Sequence, residues 1–113
     1  MSVCETLPMT PDVTLTDTPT LSEPIEVGPF TSGIVFVKVQ DEPETTPSIK
    51  AEIGVSPSGY DAWEPWWTPI REIEAETPGM HAARIENFGN WLRLRMYSES
   101  EPTDVIAWFV GQG

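Results

Sequence analysis

Few residues in this chain are of a type that does covalent or acid–base chemistry. There is one histidine, His81, and one cysteine, Cys4. Nucleophilic catalysis needs a base held beside the nucleophile, and His81 stands among alternating strand residues with no serine or cysteine motif near it. Cys4 has no basic neighbour to lower its thiol pKa, so it reads as an incidental thiol. A single His and a single Cys also fall short of the usual zinc ligand sets. Carboxylates are plentiful, and Asp41, Glu42 and Glu44 could hold calcium weakly, but the segment lacks the ligand spacing of a known calcium loop. No two acids stand out as a glycosidase pair. Gly54, Gly59, Gly79 and Gly89 sit at turns or strand ends, not in a phosphate cradle. The expectation is a protein that is not an enzyme and uses no metal or cofactor.

Binding potential lies in the aromatic and cationic residues. Trp63, Trp66 and Trp67 fall within Trp63-Glu-Pro-Trp-Trp-Thr-Pro69, a loop stiffened by its prolines. Exposed tryptophans of this kind form platforms for sugar rings or partner surfaces. The alternative is a loop that folds over one end of the fold and plugs its core; the cost of exposing Trp favours this for at least one of the three. Trp91, Arg93, Arg95 and Tyr97 share one face of a second segment. Its two arginines either neutralise Glu72, Glu74 or Glu76 on an adjacent strand or meet an acidic neighbouring subunit.

The elements that must position these residues read as β-strands. Between Thr77 and Val110 the apolar-alternating segments Met80–Phe88, Asn90–Tyr97 and Asp104–Val110 are separated by turn signals, the pattern of a meander. Pro78-Gly79 marks one turn and Gly89-Asn90 closes a hairpin. Leu92, Leu94 and Met96 form the core-facing row of the middle segment. Upstream, Ile25–Val27 is a short edge bracketed by prolines. Gly33–Gln40 is apolar on both faces, as in a central strand covered on both sides. Ser48–Val55 alternates with Ile49, Ala51, Ile53 and Val55 inward. Ser56-Pro-Ser-Gly59 is a turn in which glycine supplies positive φ, and Ile70–Ala75 is a strand or a short helix. Short strands at this spacing predict an all-β fold: one antiparallel β-sandwich or jelly roll of about seven to eight strands.

Residues 1–23 differ in composition. They hold Pro8, Pro11, Pro19, six threonines and four acids, with no Lys or Arg. Their apolar residues are scattered, and ordering each residue costs about 1–2 kcal/mol of backbone entropy. The segment is therefore expected to be an extended N-terminal arm on a sandwich domain of residues 24–113. Asp12–Thr16, with Val13 and Leu15, alternates well enough to add a strand to another sheet's edge.

The chain has 113 residues, enough for one modest core, and five Trp, four Phe and two Tyr to fill it. Its net charge of −12 repels phosphate backbones and anionic lipid, so neither nucleic acid nor a membrane is an expected partner. The lone cysteine excludes an internal disulfide. The N-terminus lacks the basic and apolar regions of a secretory signal. Assembly in a cytoplasm is the expectation.

Strand Ile49–Val55, the turn Ser56-Pro-Ser-Gly59, Trp63 and the later segment Gly89-Asn-Trp-Leu-Arg-Leu-Arg-Met96 together resemble small virion proteins of tailed bacteriophages over about residues 25–110. The resemblance implies a head decoration (cement) protein, with a neck, tail or fibre-base component as the lesser option. Its partner would be the major capsid or another virion protein, its own state a homo-oligomer, often a trimer, and its place the virion. Discoidin-like and other sugar-binding sandwiches share the strand–turn–Trp element, so a carbohydrate-binding module is the rival reading. The doubled Trp66-Trp67 and the strong acidity depart from the phage pattern.

Overall fold

Alternation of apolar and polar residues produces nine strands in the computed structural model, which describes residues 4–40, 46–86 and 88–113. They are β1 (Cys4–Leu15), β2 (Thr20–Leu21), β3 (Ile25–Glu26), β4 (Ser32–Val39), β5 (Ile49–Ser56), β6 (Thr68–Ala75), β7 (Gly79–Glu86), β8 (Trp91–Ser98) and β9 (Thr103–Gln112). No helix occurs among the described residues, and Ile70–Ala75 belongs to a strand. The acids Asp41, Glu42 and Glu44 lie outside the described residues.

Two antiparallel sheets form a β-sandwich. The first has the order β1-β9-β4-β7; the second runs β2-β8-β5-β6, with β3 also on β8. Taking β2 and β3 as one interrupted strand leaves eight, paired first with last, second with seventh, third with sixth and fourth with fifth. That winding is a jelly roll.

The three segments between Thr77 and Val110 are strands, but they are not a meander. β7 and β9 belong to one sheet and β8 to the other, so each connection crosses the sandwich. Gly89-Asn90 therefore closes no hairpin. Phe88 explains the crossing: it is buried in the core with its ring edge-on to Phe109, 5.7 Å between centroids. Anchoring that residue draws the chain from one layer into the other. Pro78-Gly79 is the expected turn, with Gly79 at φ 106°, a conformation other residues adopt only with strain.

Between the sheets, Val35, Val37, Val39, Val105, Ala107 and Phe109 face Ile49, Ala51, Ile53 and the row Leu92, Leu94, Met96, all essentially inaccessible to solvent. Each large side chain so buried contributes about 1.5–3 kcal/mol. β4 is central, as expected, between β9 and β7. Its second face is not covered by another layer, and Ile34 and Phe36 are only half-buried there.

The N-terminal segment is the largest departure from expectation. Cys4–Leu15 is not a free arm; it forms the edge strand beside β9, in register from Cys4↔Gln112 to Leu15↔Thr103. Met9 and Leu15 are fully buried in the core, with Leu7 and Val13 packed against it. The Ala107 amide donates to Thr10 Oγ1 at 3.0 Å. Pro8 and Pro11 suit this position, because an edge strand tolerates missing donors and prolines discourage further strand addition. Two register shifts, between Pro8 and Thr10 and between Thr10 and Val13, accommodate them.

Candidate binding surfaces

The loop joining β5 to β6 carries the tryptophans, and its seat is built by a glycine and an arginine. Gly54 lies in β5 opposite Arg93 of β8. A Cβ on Gly54 would sit 2.4 Å from the Trp63 ring, so only glycine lets that ring lie flat on the strand. Trp67 is buried beside it, nearly parallel to Trp63 at 11°. Both rings pack on the outer side of the second sheet and are absent from the cluster between the sheets. The plug is therefore real for Trp63 and Trp67, but it covers the sheet's outside and not its core.

Arg93 braces this loop from below. Only 8% exposed, it donates through Nε to the Ser22 carbonyl at 2.7 Å and through one terminal nitrogen to the carbonyls of Tyr60 at 3.0 Å and Asp61 at 2.6 Å. Its guanidinium also lies over the Trp67 ring, 5.9 Å from the centroid, a favourable cation–π distance. Trp67 Nε1 donates to the same Tyr60 carbonyl at 2.9 Å. One side chain thus ties the Trp loop to the β2–β3 connection. Gly59 does not take the positive φ expected of the turn; a Cβ there would make a tight contact with the Trp91 ring at 3.0–3.2 Å.

On this base Tyr60 and Trp66 stand free. Their rings stack at 4.3 Å and 23° while remaining 40% and 47% exposed. The remaining sequence candidates take other places. Arg95 pairs with Glu52 of β5 at 3.4 Å, not with Glu72, Glu74 or Glu76, because β5 lies between β8 and β6. Arg93 meets carbonyls instead of carboxylates. Trp91 and Tyr97 are half-buried on the same outer face. Val13 and Leu15 serve the protein's own core.

The chemistry-bearing residues are dispersed. His81 Nε2 donates to the Thr77 carbonyl at 2.7 Å, and Cys4 is exposed at the sheet edge. No group of three or more potential metal ligands occurs among the described residues. Lys50 is raised above the usual lysine range by its hydrogen bond and attraction to Glu99. Glu72 is raised above the usual carboxylate range by lost solvation, a hydrogen bond with Glu74 and the neighbouring Glu74 and Glu52 charges, against the opposing pull of Lys50.

A second surface was not anticipated as such. The outer face of the first sheet carries Ile34, Phe36, Ile106, Trp108 and Val110, with Met80 of β7 55% exposed beside them. Thr6, Phe36, Met80, Trp108 and Val110 line a shallow apolar depression on it. The signal was present in the sequence as the second apolar face of β4.

No protein-family model and no curated protein matches the sequence. Solved structures do match in fold. A subunit of Bacillus endospore appendages, described as a novel family of disulfide-linked pili, superposes with a TM-score of 0.57 at 12% identity, covering 98% of this chain and 85% of that one. The SPBc2 prophage-derived protein YomS gives a TM-score of 0.54 at 13% identity, over 98% of this chain and 96% of that one. At such identities the likeness is one of fold.

Proposed function

We propose that this protein is a non-enzymatic structural subunit of a phage particle, of the capsid decoration type, which docks on the major capsid protein through the Tyr60–Trp66 pair. The observation that carries the reading is that pair: a stacked, exposed aromatic knob on a loop whose other two tryptophans and bracing arginine are buried. Aromatic anchors held rigid before binding are what interface hot spots require, because little side-chain entropy is left to lose. His81 on β7 and Cys4 on β1 stand on opposite edges of one sheet, which agrees with a role without catalysis. Likeness of fold to a prophage-derived protein agrees with a virion location. Likeness to a pilus subunit agrees with an assembling module. A disulfide-linked polymer is disfavoured, because Cys4 is the one cysteine in these 113 residues and a single bridge joins only pairs.

The arm expected to reach across the shell takes no part, since residues 4–15 are committed to β9. Docking is tested by co-sedimentation with shells lacking the protein. Wild type is expected to decorate them at saturation, and Trp66→Ala to weaken binding at least tenfold with its melting temperature unchanged. Full occupancy by Trp66→Ala would refute this surface. The carbohydrate reading keeps one observation in its favour, the flat exposed face of Trp66. Saturable quenching of Trp fluorescence by a glycan panel, with no shell binding, would establish it instead. A copy number of a handful per particle would move the protein to the neck, tail or fibre base.

A further inference from the structure

We infer that the outer face of the β1-β9-β4-β7 sheet is a self-association surface, and that its occupant is a second copy of this chain related by a two-fold axis parallel to the strands. The inference goes beyond the docking role and does not rest on it, because the aromatic loop lies on the other sheet.

The register places the outward side chains in rows. Val110 lies beside Ile34, Trp108 beside Phe36 and Ile106 beside Lys38. On β7, Arg84 lies beside Ile34, Ala82 beside Phe36 and Met80 beside Lys38. On β1, Pro8 lies beside Trp108 and Thr14 beside Asp104. The centre of the face is thus apolar, while the chain as a whole carries −12. Charges on this face are nearly balanced and sorted by strand. Lys38 and Arg84 stand on the β4–β7 half, and Asp104 with the exposed Asp12 on the β1–β9 half; Glu86 occupies a far corner. Among the described residues neither Lys38 nor Arg84 has an ion-pair partner.

This sorting selects the symmetry. A two-fold perpendicular to the strands would lay each strand over its own copy and set like charges on the same side. A two-fold parallel to the strands lays the β4–β7 half of one copy over the β1–β9 half of the other. Phe36 then meets the second copy's Trp108, Ile34 its Val110 and Lys38 its Ile106, from where the lysine ammonium reaches toward Asp104, the next outward residue along that β9. Sheets packed face to face in this way keep their strands nearly aligned. Four strands about 4.8 Å apart and about 27 Å long present roughly 500 Å² per copy. Two copies would bury on the order of 1,000 Å², the lower bound for a specific interface. The trimer implied by the phage resemblance would need two different complementary patches on each copy, whereas this face is complementary to itself. Because the axis runs along the strands, both Trp loops emerge at the same end of the dimer, one on each flank.

Analytical ultracentrifugation of the full chain tests the mass first. A reversible two-copy species is expected at micromolar concentrations; a monomer at 100 µM (chosen as about a hundredfold excess), or a trimer, would overturn the inference. Phe36→Ser and Lys38→Asp are each expected to raise the dissociation constant at least tenfold, and adding Asp104→Lys to Lys38→Asp to restore much of the loss. The axis is tested by cysteine pairs in a Cys4→Ser background. Because Ile34 and Val110 are cross-strand neighbours within one chain, the two cysteines are placed on separate chains: a mixture of Ile34→Cys and Val110→Cys proteins should give an inter-chain disulfide between the two variants under mild oxidation, whereas Trp108→Cys alone should not. Efficient cross-linking by the single variant would place the axis across the strands and overturn the proposed geometry.

Discussion

Replacing Arg93 with methionine keeps its apolar stem over Trp67 and removes the fork that holds the Trp loop. Three hydrogen bonds disappear, at 2.7, 3.0 and 2.6 Å. Bonds from a charged donor are worth about 1.5–3 kcal/mol each, but their sum overstates the loss. Tyr60 and Asp61 are exposed, so water replaces the donor there, and the Tyr60 carbonyl keeps its bond from Trp67 Nε1. Ser22 is buried, and its carbonyl is the acceptor left without a good substitute. Stranding it costs about 1–3 kcal/mol. Methionine also relieves the cost of desolvating a cation that has no carboxylate partner. The expected net loss is about 1–2 kcal/mol. At about 2.1 cal/mol/K of unfolding entropy per residue, that lowers the melting temperature by about 4–8 °C. Scanning calorimetry reads the shift, and tryptophan emission should move to the red as Trp63 and Trp67 become wet. Arg93→Lys should lie closer to methionine than to wild type, because a single ammonium cannot reach carbonyls on two connections at once. A loss below about 0.5 kcal/mol with unchanged emission would refute the bracing role.

Gly54→Ala forces a methyl group to within 2.4 Å of the Trp63 ring and should cost about 1–3 kcal/mol by overpacking, with a red shift in emission but no change in far-ultraviolet circular dichroism. Leu15→Ala should cost about 2–5 kcal/mol as a fully buried core residue, and deleting residues 1–15 should abolish cooperative unfolding altogether. For Glu72, a folded-state pKa above the ordinary value means that stability is lost as pH rises through that pKa. Glu72→Gln should therefore raise the melting temperature slightly at pH 7 (about a few tenths of a kcal/mol, since the group is solvent-screened), and the gain should vanish below about pH 4, where both states are protonated.

Strand positions were legible wherever one face alternated cleanly. Ile49, Ala51 and Ile53 in β5 and Leu92, Leu94 and Met96 in β8 point inward as the period of two requires. The pairing of those strands was not legible, because a turn signal does not say whether the chain stays in its sheet or crosses to the other. Phe88 settles that by long-range packing against Phe109. β1 was obscured by Pro8, Pro11 and its threonines, although Leu7, Met9, Val13 and Leu15 all share one parity and could have betrayed a core-facing row. The exposed half of the aromatic loop could not be told from the buried half by composition. Trp63 and Trp67 go under because Gly54 and Arg93, distant in sequence, build a seat for them. Trp66 stays out because Tyr60 is the surface left for it to stack on. Arg93 itself read as either a cross-strand partner of an acid or a partner-facing cation, and only the approach of the β2–β3 connection buries it against carbonyls.

Electron cryo-microscopy of phage particles bearing this protein is the decisive measurement for the proposed decoration role. Many copies are expected on the outer shell, each with the Tyr60–Trp66 knob seated on a capsid subunit and β1 folded back along β9. Density confined to a few copies at the neck or tail, or a knob pointing into solvent with residues 4–15 strung across a neighbour, would contradict it.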